Sequence, residues 1–342
     1  MVVGLALLAI GCSRHHSPTA PGSTPGGAVP DSVVLLDDLA GRAIFPPDNW
    51  WNVDVSSAPV DTASAAYVDW ISGRTPQNPS AVRNAHPDFG PPPYGIPYVV
   101  VGGNQPLRSV TFSPYGSESD AGAPGRPPGY PIPDEARTLA DYIEGGVAGG
   151  GTSGDRHLLV VDRDHGLLFE TWATHWNVSA SRWEAGSGAT FDLASNARRP
   201  DGWTSADAAG LAILPGLVRF DEVAAGTPIR HAFRVTLRAT NGYVWPASHA
   251  AGSTSGAPPM GARLRLKGAK DLSGYSADVQ RIFQAMKTYG LIVADNGTDL
   301  YVSGTMDARW DNDVLNPAFH DLTADDFEVI ALGWGAPPPR AR

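Results

Sequence analysis

The sequence predicts a mostly β fold, a β-sandwich or jelly-roll-like core with a few peripheral helices, with an α+β arrangement as the alternative. Three observations carry this expectation. The 342 residues include 39 Gly and 31 Pro and only 18% charged residues, a balance that gives many turns and few long solvated helices. Short apolar or alternating runs recur at 97–101, 108–112, 158–162, 167–176, 217–223, 229–239, 262–267, 291–294, 300–303 and 327–332. Between two of them, Arg163-Asp164-His165-Gly166 reads as a hairpin turn.

Helical spacing is confined to two segments. Residues 62–72 carry Ala65, Ala66, Val68, Trp70 and Ile71. Residues 276–289 place Val279, Ile282, Phe283 and Met286 on one face, with Ser276 as N-cap and Gly290 just past the end.

The organisation along the chain falls into three parts. The run from Val2 to Ile10 is apolar, too short to cross a bilayer, and ends in small residues before Cys12, as a processed export signal does. Ala9-Ile10-Gly11-Cys12 resembles the lipobox of bacterial lipoprotein leaders. That resemblance implies a signal peptide over residues 1–12, lipid on Cys12, and a protein held at the outer membrane or cell surface, facing the periplasm or the exterior. One departure stands out, since no Lys or Arg precedes the apolar run. Residues 13–30 are mainly Ser, Pro, Thr, Gly and Ala, a composition that cannot bury enough apolar surface to offset ordering, so they read as a tether. Residues 31–342 then form a single mostly β domain. Cys12 is the only cysteine, so that domain has neither a disulfide nor a cysteine-based zinc site.

A formal net charge of -10 disfavours nucleic acid, because binding phosphates needs clustered cations. Neutral or mildly cationic ligands suit it better; the membrane is reached only through the lipid, and a monomer is expected. Four stretches resemble an uncharacterised family of secreted bacterial proteins: Phe45-Pro46-Pro47-Asp48-Asn49-Trp50-Trp51-Asn52, Gly202 through Leu211, Val218-Arg219-Phe220-Asp221-Glu222 and Ile292-Val293-Ala294-Asp295-Asn296-Gly297. The resemblance spans most of the chain and brings no activity with it.

Strand periodicity nominates the chemistry, because alternate residues share a face. Leu168, Glu170, Trp172, Thr174 and Trp176 fall on one face, and a carboxylate flanked by indoles is what a sugar cleft needs: flat rings stack on C–H surfaces while the acid works on the glycosidic bond. Glu222 shares a face with Val218 and Phe220, and an acid on an apolar face has its pKa raised, as a general acid requires. Asp207, preceded by Trp203 and followed by the small run Ala208-Ala209-Gly210, is a second carboxylate open to a ligand. His231 lies on an apolar face with Phe233, Val235 and Leu237, where it orients or protonates Glu222; Arg230, Arg234 and Arg238 opposite it, like Arg263, Arg265 and Lys267, read as solvated rows. Asp295 and Asn296 end an apolar run, and His86 and Asp88 sit on a loop as rim contacts.

Each of these residues also has a plain structural reading, as a core aromatic, a cap or an ion pair. No His-Glu-x-x-His, Gly-x-Ser-x-Gly or phosphate-loop motif occurs. No cofactor and no catalytic metal are implied, and a structural calcium near Asp307, Asp311 and Asp313 is no more than compatible with the acids there. The sequence therefore implies a carbohydrate-active protein acting on a polysaccharide or oligosaccharide. A glycoside hydrolase comes first, with Glu222, Glu170, Asp207, His231 and Asp295 as its chemistry and Trp172, Trp176, Trp203, His86, Asp88 and Asn296 as its contacts. A noncatalytic glycan-binding or envelope scaffold protein and a polysaccharide lyase are the alternatives.

Overall fold

The computed structural model describes residues 33–338 except residues 40, 121 and 123–126; the leader, Cys12 and the tether lie outside the described residues. The fold is mostly β, and residues 31–342 make one compact unit. Its strands, numbered along the chain, form three sheets. The first has the order β1 (Val34–Leu35), β3 (Tyr98–Val101), β5 (Leu158–Asp162), β6 (Leu167–Trp172) and β9 (Ser187–Asp192). The second runs β14 (Phe327–Val329), β11 (Arg263–Leu266), β12 (Leu291–Asn296), β10 (Phe233–Leu237), β13 (Tyr301–Met306) and β2 (His86–Gly90). A third, small sheet joins β4 (Val110–Phe112), β8 (Arg182–Ala185) and β7 (His175–Asn177). All three are mixed: β3 and β5, β10 and β12, β13 and β2, and β4 and β8 pair parallel.

Burial on both faces explains the uninterrupted apolar runs. Tyr98, Val100, Leu159, Val161 and Leu168 join the large core they share with the six-stranded sheet, while Val99, Val101, Leu158, Val160 and Phe169 point into a second core. The hairpin between β5 and β6 closes where expected, with Gly166 in the left-handed region at φ 64°.

The helices cover the six-stranded sheet. α1 (Ser64–Ser72) and α4 (Ala277–Thr288) match the sequence pattern, and the Ser276 side chain accepts the Val279 N–H as the N-cap of α4. Val279, Ile282, Phe283 and Met286 are all buried. α5 (Asn312–His320) has no counterpart in the sequence reading because Pro317 interrupts its pattern. Asp311 accepts the Asp313 N–H at its start, and Asp307 binds Arg309 through both carboxylate oxygens, so two of the three acids considered for calcium have protein partners.

Two expected strands are something else. Residues 217–223 alternate over too short a stretch to separate strand from helix; Leu214–Gly216 is a 3-10 turn and Phe220–Ala224 is a helix, α3, after the short α2 at Glu135–Thr138. The run 167–176 breaks at Ala173, which takes φ 55°, and resumes as β7 in the small sheet. The arginine rows are not solvated throughout either. Arg263 donates to the Trp50 carbonyl, and Arg265 donates to Glu328 and to the carbonyls of Val55, Ser56 and Ala58, so both pin the 50–58 loop from beneath.

β2 reaches its place through a close approach at Gly304 of β13. A Cβ there would stand 2.6 Å from the Phe89 ring and 2.8 Å from the Val218 carbonyl. Gly304→Ala is therefore expected to overpack this seam and cost about 1–3 kcal/mol, read as a lower urea midpoint at unchanged slope; an unchanged midpoint contradicts the packing described.

Candidate functional site

A polar row crosses the six-stranded sheet and makes the floor of a cleft. Asp88 of β2 lies opposite Ser303 of β13 in the ladder. Arg234 of β10 donates to the Ser303 hydroxyl at 2.7 Å and to Asp295 Oδ2 at 2.7 Å. Asp295 comes within reach because the pairing of β10 with β12 slips by one residue after Val235, which sets Thr236 opposite Asp295. Asp207 closes the group from the long connection after β9, accepting from Arg234 Nε and Nη2 at 3.0 Å each. Arg234 is buried, and burial disfavours its charge, but the carboxylates of Asp207 and Asp295 outweigh that and hold it charged. Burial in turn pushes Asp207 up to about 6, with Arg234 opposing and Asp295 adding to the rise.

The chain entering β5 supplies another wall. His157 is buried, with Nδ1 2.7 Å from Glu144 Oε2 and Nε2 3.2 Å from the Ala206 carbonyl. A carbonyl only accepts, so Nε2 carries a proton. Burial alone would lower the His157 pKa, yet the charge and hydrogen bond of Glu144 lift it to about 9, and Glu144 is lowered by the same pair against its own desolvation. Both nitrogens are committed to protein partners.

Asp88, Glu144, Asp155, His157, Arg234 and Asp295 line an inner hollow of about 190 Å³. Asp155, Asp295 and Asn296 also line an adjoining cavity of about 510 Å³, whose walls include Tyr115, Trp172, Ser205 and His249. The two form one cleft, polar inside and aromatic toward its mouth. Trp172 donates from Nε1 to Asp155 Oδ1 at 3.2 Å and meets Tyr115 edge to face at 6.1 Å.

Asp88 differs from the other carboxylates here. It is exposed to solvent and accepts no hydrogen bond from the described residues. Surrounding protein pushes its carboxyl above the usual range, the charges of Glu144 and Asp155 add to this, and Arg234 opposes it.

The structure gathers some of the residues chosen from sequence and disperses the rest. Asp88, Trp172, Asp295 and Asn296 line the cleft, and Asp207 lies fully buried beneath it as the clamp on Arg234. Glu170 is corrected to a structural role: fully buried, it accepts the backbone N–H groups of Ile213 and Leu214 at 2.8–3.0 Å, capping the 3-10 turn. Desolvation lifts it to about 7, with those two N–H groups opposing. Glu222 is corrected as well. It sits on α3 with its carboxylate 2.6 Å from Arg219 and 2.9 Å from His231 Nε2, and these partners overcome desolvation and hold its pKa low, the opposite of a general acid's requirement. His231 is its buried partner, with Nδ1 at 2.9 Å from the Ala232 carbonyl. Trp176 belongs to the small sheet, edge-on to Trp183. Trp203 lies under the Arg199 guanidinium at 5.5 Å. His86 stacks by Tyr301 and His320 in a separate depression with Asn84 and Asn316.

Glu144, Asp155, His157, Tyr115 and His249 were not singled out from sequence, and Arg234 was read as solvated. His157 and Asp155 directly precede the apolar run of β5, a strand-end position that favours ligand contact and was the one usable signal. The chain matches no protein family, no curated protein and no solved structure.

The His157 and Glu144 pair fixes a pH dependence. Because the folded pKa of His157 lies above its ordinary value of about 6.5, the stabilisation is present below pH 6.5 and is lost as pH rises through about 9. Urea unfolding is expected to show stability falling by about 3 kcal/mol across that window, with His157→Gln flattening the decline; a flat wild-type profile contradicts the buried pair.

Proposed function

We propose that this chain is an exported glycoside hydrolase acting on an extracellular or cell-wall polysaccharide, held to a membrane surface through Cys12. The observation that carries this reading is Asp88, a solvent-reached carboxyl raised in pKa, without a hydrogen-bond partner among the described residues, in a cleft with other acids and an indole. Asp88 in its protonated form donates to the glycosidic oxygen as the bond to C1 breaks. Asp155, with one oxygen accepting from Trp172 and the other uncommitted among the described residues, is the second carboxyl group, which faces C1 as water adds there and the bond to the leaving oxygen is lost. Trp172 offers its indole to the sugar face, and Arg234 acts as a positioning residue that holds Asp295.

The cleft's charge favours neutral or cationic sugars. Arg234 and His157, the cations that line its inner hollow among the described residues, are both occupied by protein carboxylates, so neither is free to meet a uronate, and this favours hydrolysis over the lyase alternative. Convergence of several carboxylates favours catalysis over simple binding.

Asp88→Asn is expected to lower reducing-end release from a responsive polysaccharide by about 10²–10⁴-fold while leaving glycan binding and the urea midpoint in place, and Asp155→Asn to lower it comparably. Wild-type activity should fall as pH rises through a midpoint above the ordinary carboxylate range, since the acid must carry its proton. Release from no glycan in a broad panel, or full activity in Asp88→Asn, overturns the assignment.

A further inference from the structure

The small sheet carries a second groove whose electrostatics are the reverse of the cleft's. Arg108, Arg137, Arg182, Asp134, Trp176 and Trp183 line a depression of about 450 Å³, within the range of ligand sites. Three guanidinium groups face one lining carboxylate there, on a chain whose formal net charge is -10. Arg108 meets Asp134 at 3.2 Å in a pair largely in water and weak for that reason, while Arg182 donates from Nε and Nη2 at 2.8 Å to the half-buried Glu184 of its own strand. Arg137 is exposed in the last turn of α2, and its guanidinium has no hydrogen bond or ion pair among the described residues, its backbone N–H alone donating to the Asp134 carbonyl. Its guanidinium lies 5.3 Å from the centre of the half-buried Trp176 ring, which meets the buried Trp183 edge-on at 5.5 Å.

From this arrangement we infer that the groove is a binding site for a carboxylated polysaccharide, a chain of uronate sugars, separate from the catalytic cleft. The planar donor fork of Arg137 matches a carboxylate through two parallel hydrogen bonds. Trp176 and Trp183 line the groove with indole surface beside the Arg137 guanidinium, of the kind that meets the C–H side of a sugar ring, and Arg108 and Arg182, each already paired with one carboxylate, complete the lining. A bare phosphate would use the guanidinium groups and gain nothing from the indole, so the pairing of the two favours an anionic sugar. The cleft, with its cations committed, favours uncharged or cationic sugars, so the groove takes a different ligand from the cleft. The inference does not rest on the hydrolase reading.

Calorimetric titration of the full chain with tetragalacturonate, maltotetraose and inorganic phosphate tests it. Tetragalacturonate is expected to bind, more weakly as salt rises, with Arg137→Ala weakening it by about tenfold, Arg137→Lys less, and Asp88→Asn not at all. Maltotetraose and phosphate are expected to compete with it far more weakly. No binding of tetragalacturonate to the wild type, wild-type affinity in Arg137→Ala with an unchanged melting temperature, or displacement of tetragalacturonate by an equal concentration of maltotetraose or of phosphate each overturns it. Arg137 is exposed, so its replacement leaves the core intact, and loss of reducing-end release in Asp88→Asn with uronate binding retained tells the two sites apart.

Discussion

One guanidinium joins the parts of this molecule that carry its chemistry. Arg234 stands in the middle of the six-stranded sheet and reaches Asp207 from the connection after β9, Asp295 at the end of β12 and Ser303 on β13. Taking these charges out of water costs several kcal/mol per ion, which the doubly hydrogen-bonded pairing with Asp207 offsets. Such a pair adds little net stability, but removing one partner strands the others, at about 3–5 kcal/mol. Its consequence is geometric: three separate segments have one shared position, and Asp295 is turned toward the cleft by the ladder slip beside it.

The charges in the cleft divide into the committed and the open. Arg234 and His157 are met by protein acceptors, and Asp207 and Glu144 accept from these two side chains. Asp88 and Asp155 keep oxygens without partners among the described residues, at the mouth of a hollow whose aromatic lip is Trp172 and Tyr115. Desolvation by the surrounding protein, helped by the charges of Glu144 and Asp155, raises Asp88 while the buried pairs stay fixed, as a proton donor requires. The groove on the small sheet inverts the pattern, with the exposed Arg137 over Trp176 and two further arginines in the lining.

Much of the fold was legible along the chain, and the site only in part. The strands buried on both faces, the hairpin at Gly166 and the capped helix α4 follow from local pattern and turn chemistry. Residues 217–223 did not, because seven alternating positions fit a helical turn as well as a strand, and the pairing of Arg219 with Glu222 accompanies the helix. Glu222 and Glu170 were singled out correctly as acids among apolar neighbours, but burial of an acid does not reveal whether a ligand or the protein's own N–H groups and cations meet it. Asp88, Asp155 and Asp295 are far apart in sequence, and only the parallel pairing of β13 with β2 and the slip between β10 and β12 bring them to one place. The arginine rows misled for the same reason: period-two spacing marks a shared face without saying whether water or another layer covers it.

The account's central claim is that Asp88 retains its proton at a higher pH than an ordinary aspartate while remaining open to solvent. Carbon-detected NMR titration of the side-chain carboxyls, with the Asp88 resonance assigned by its loss in Asp88→Asn, measures this directly. The account expects a midpoint above the ordinary aspartate value of about 3.9 and, as the Arg234 charge opposes the rise, a further increase when Arg234 is replaced by Gln in a variant that still folds. A midpoint at or below that value contradicts Asp88 as the proton donor, and the hydrolytic reading goes with it.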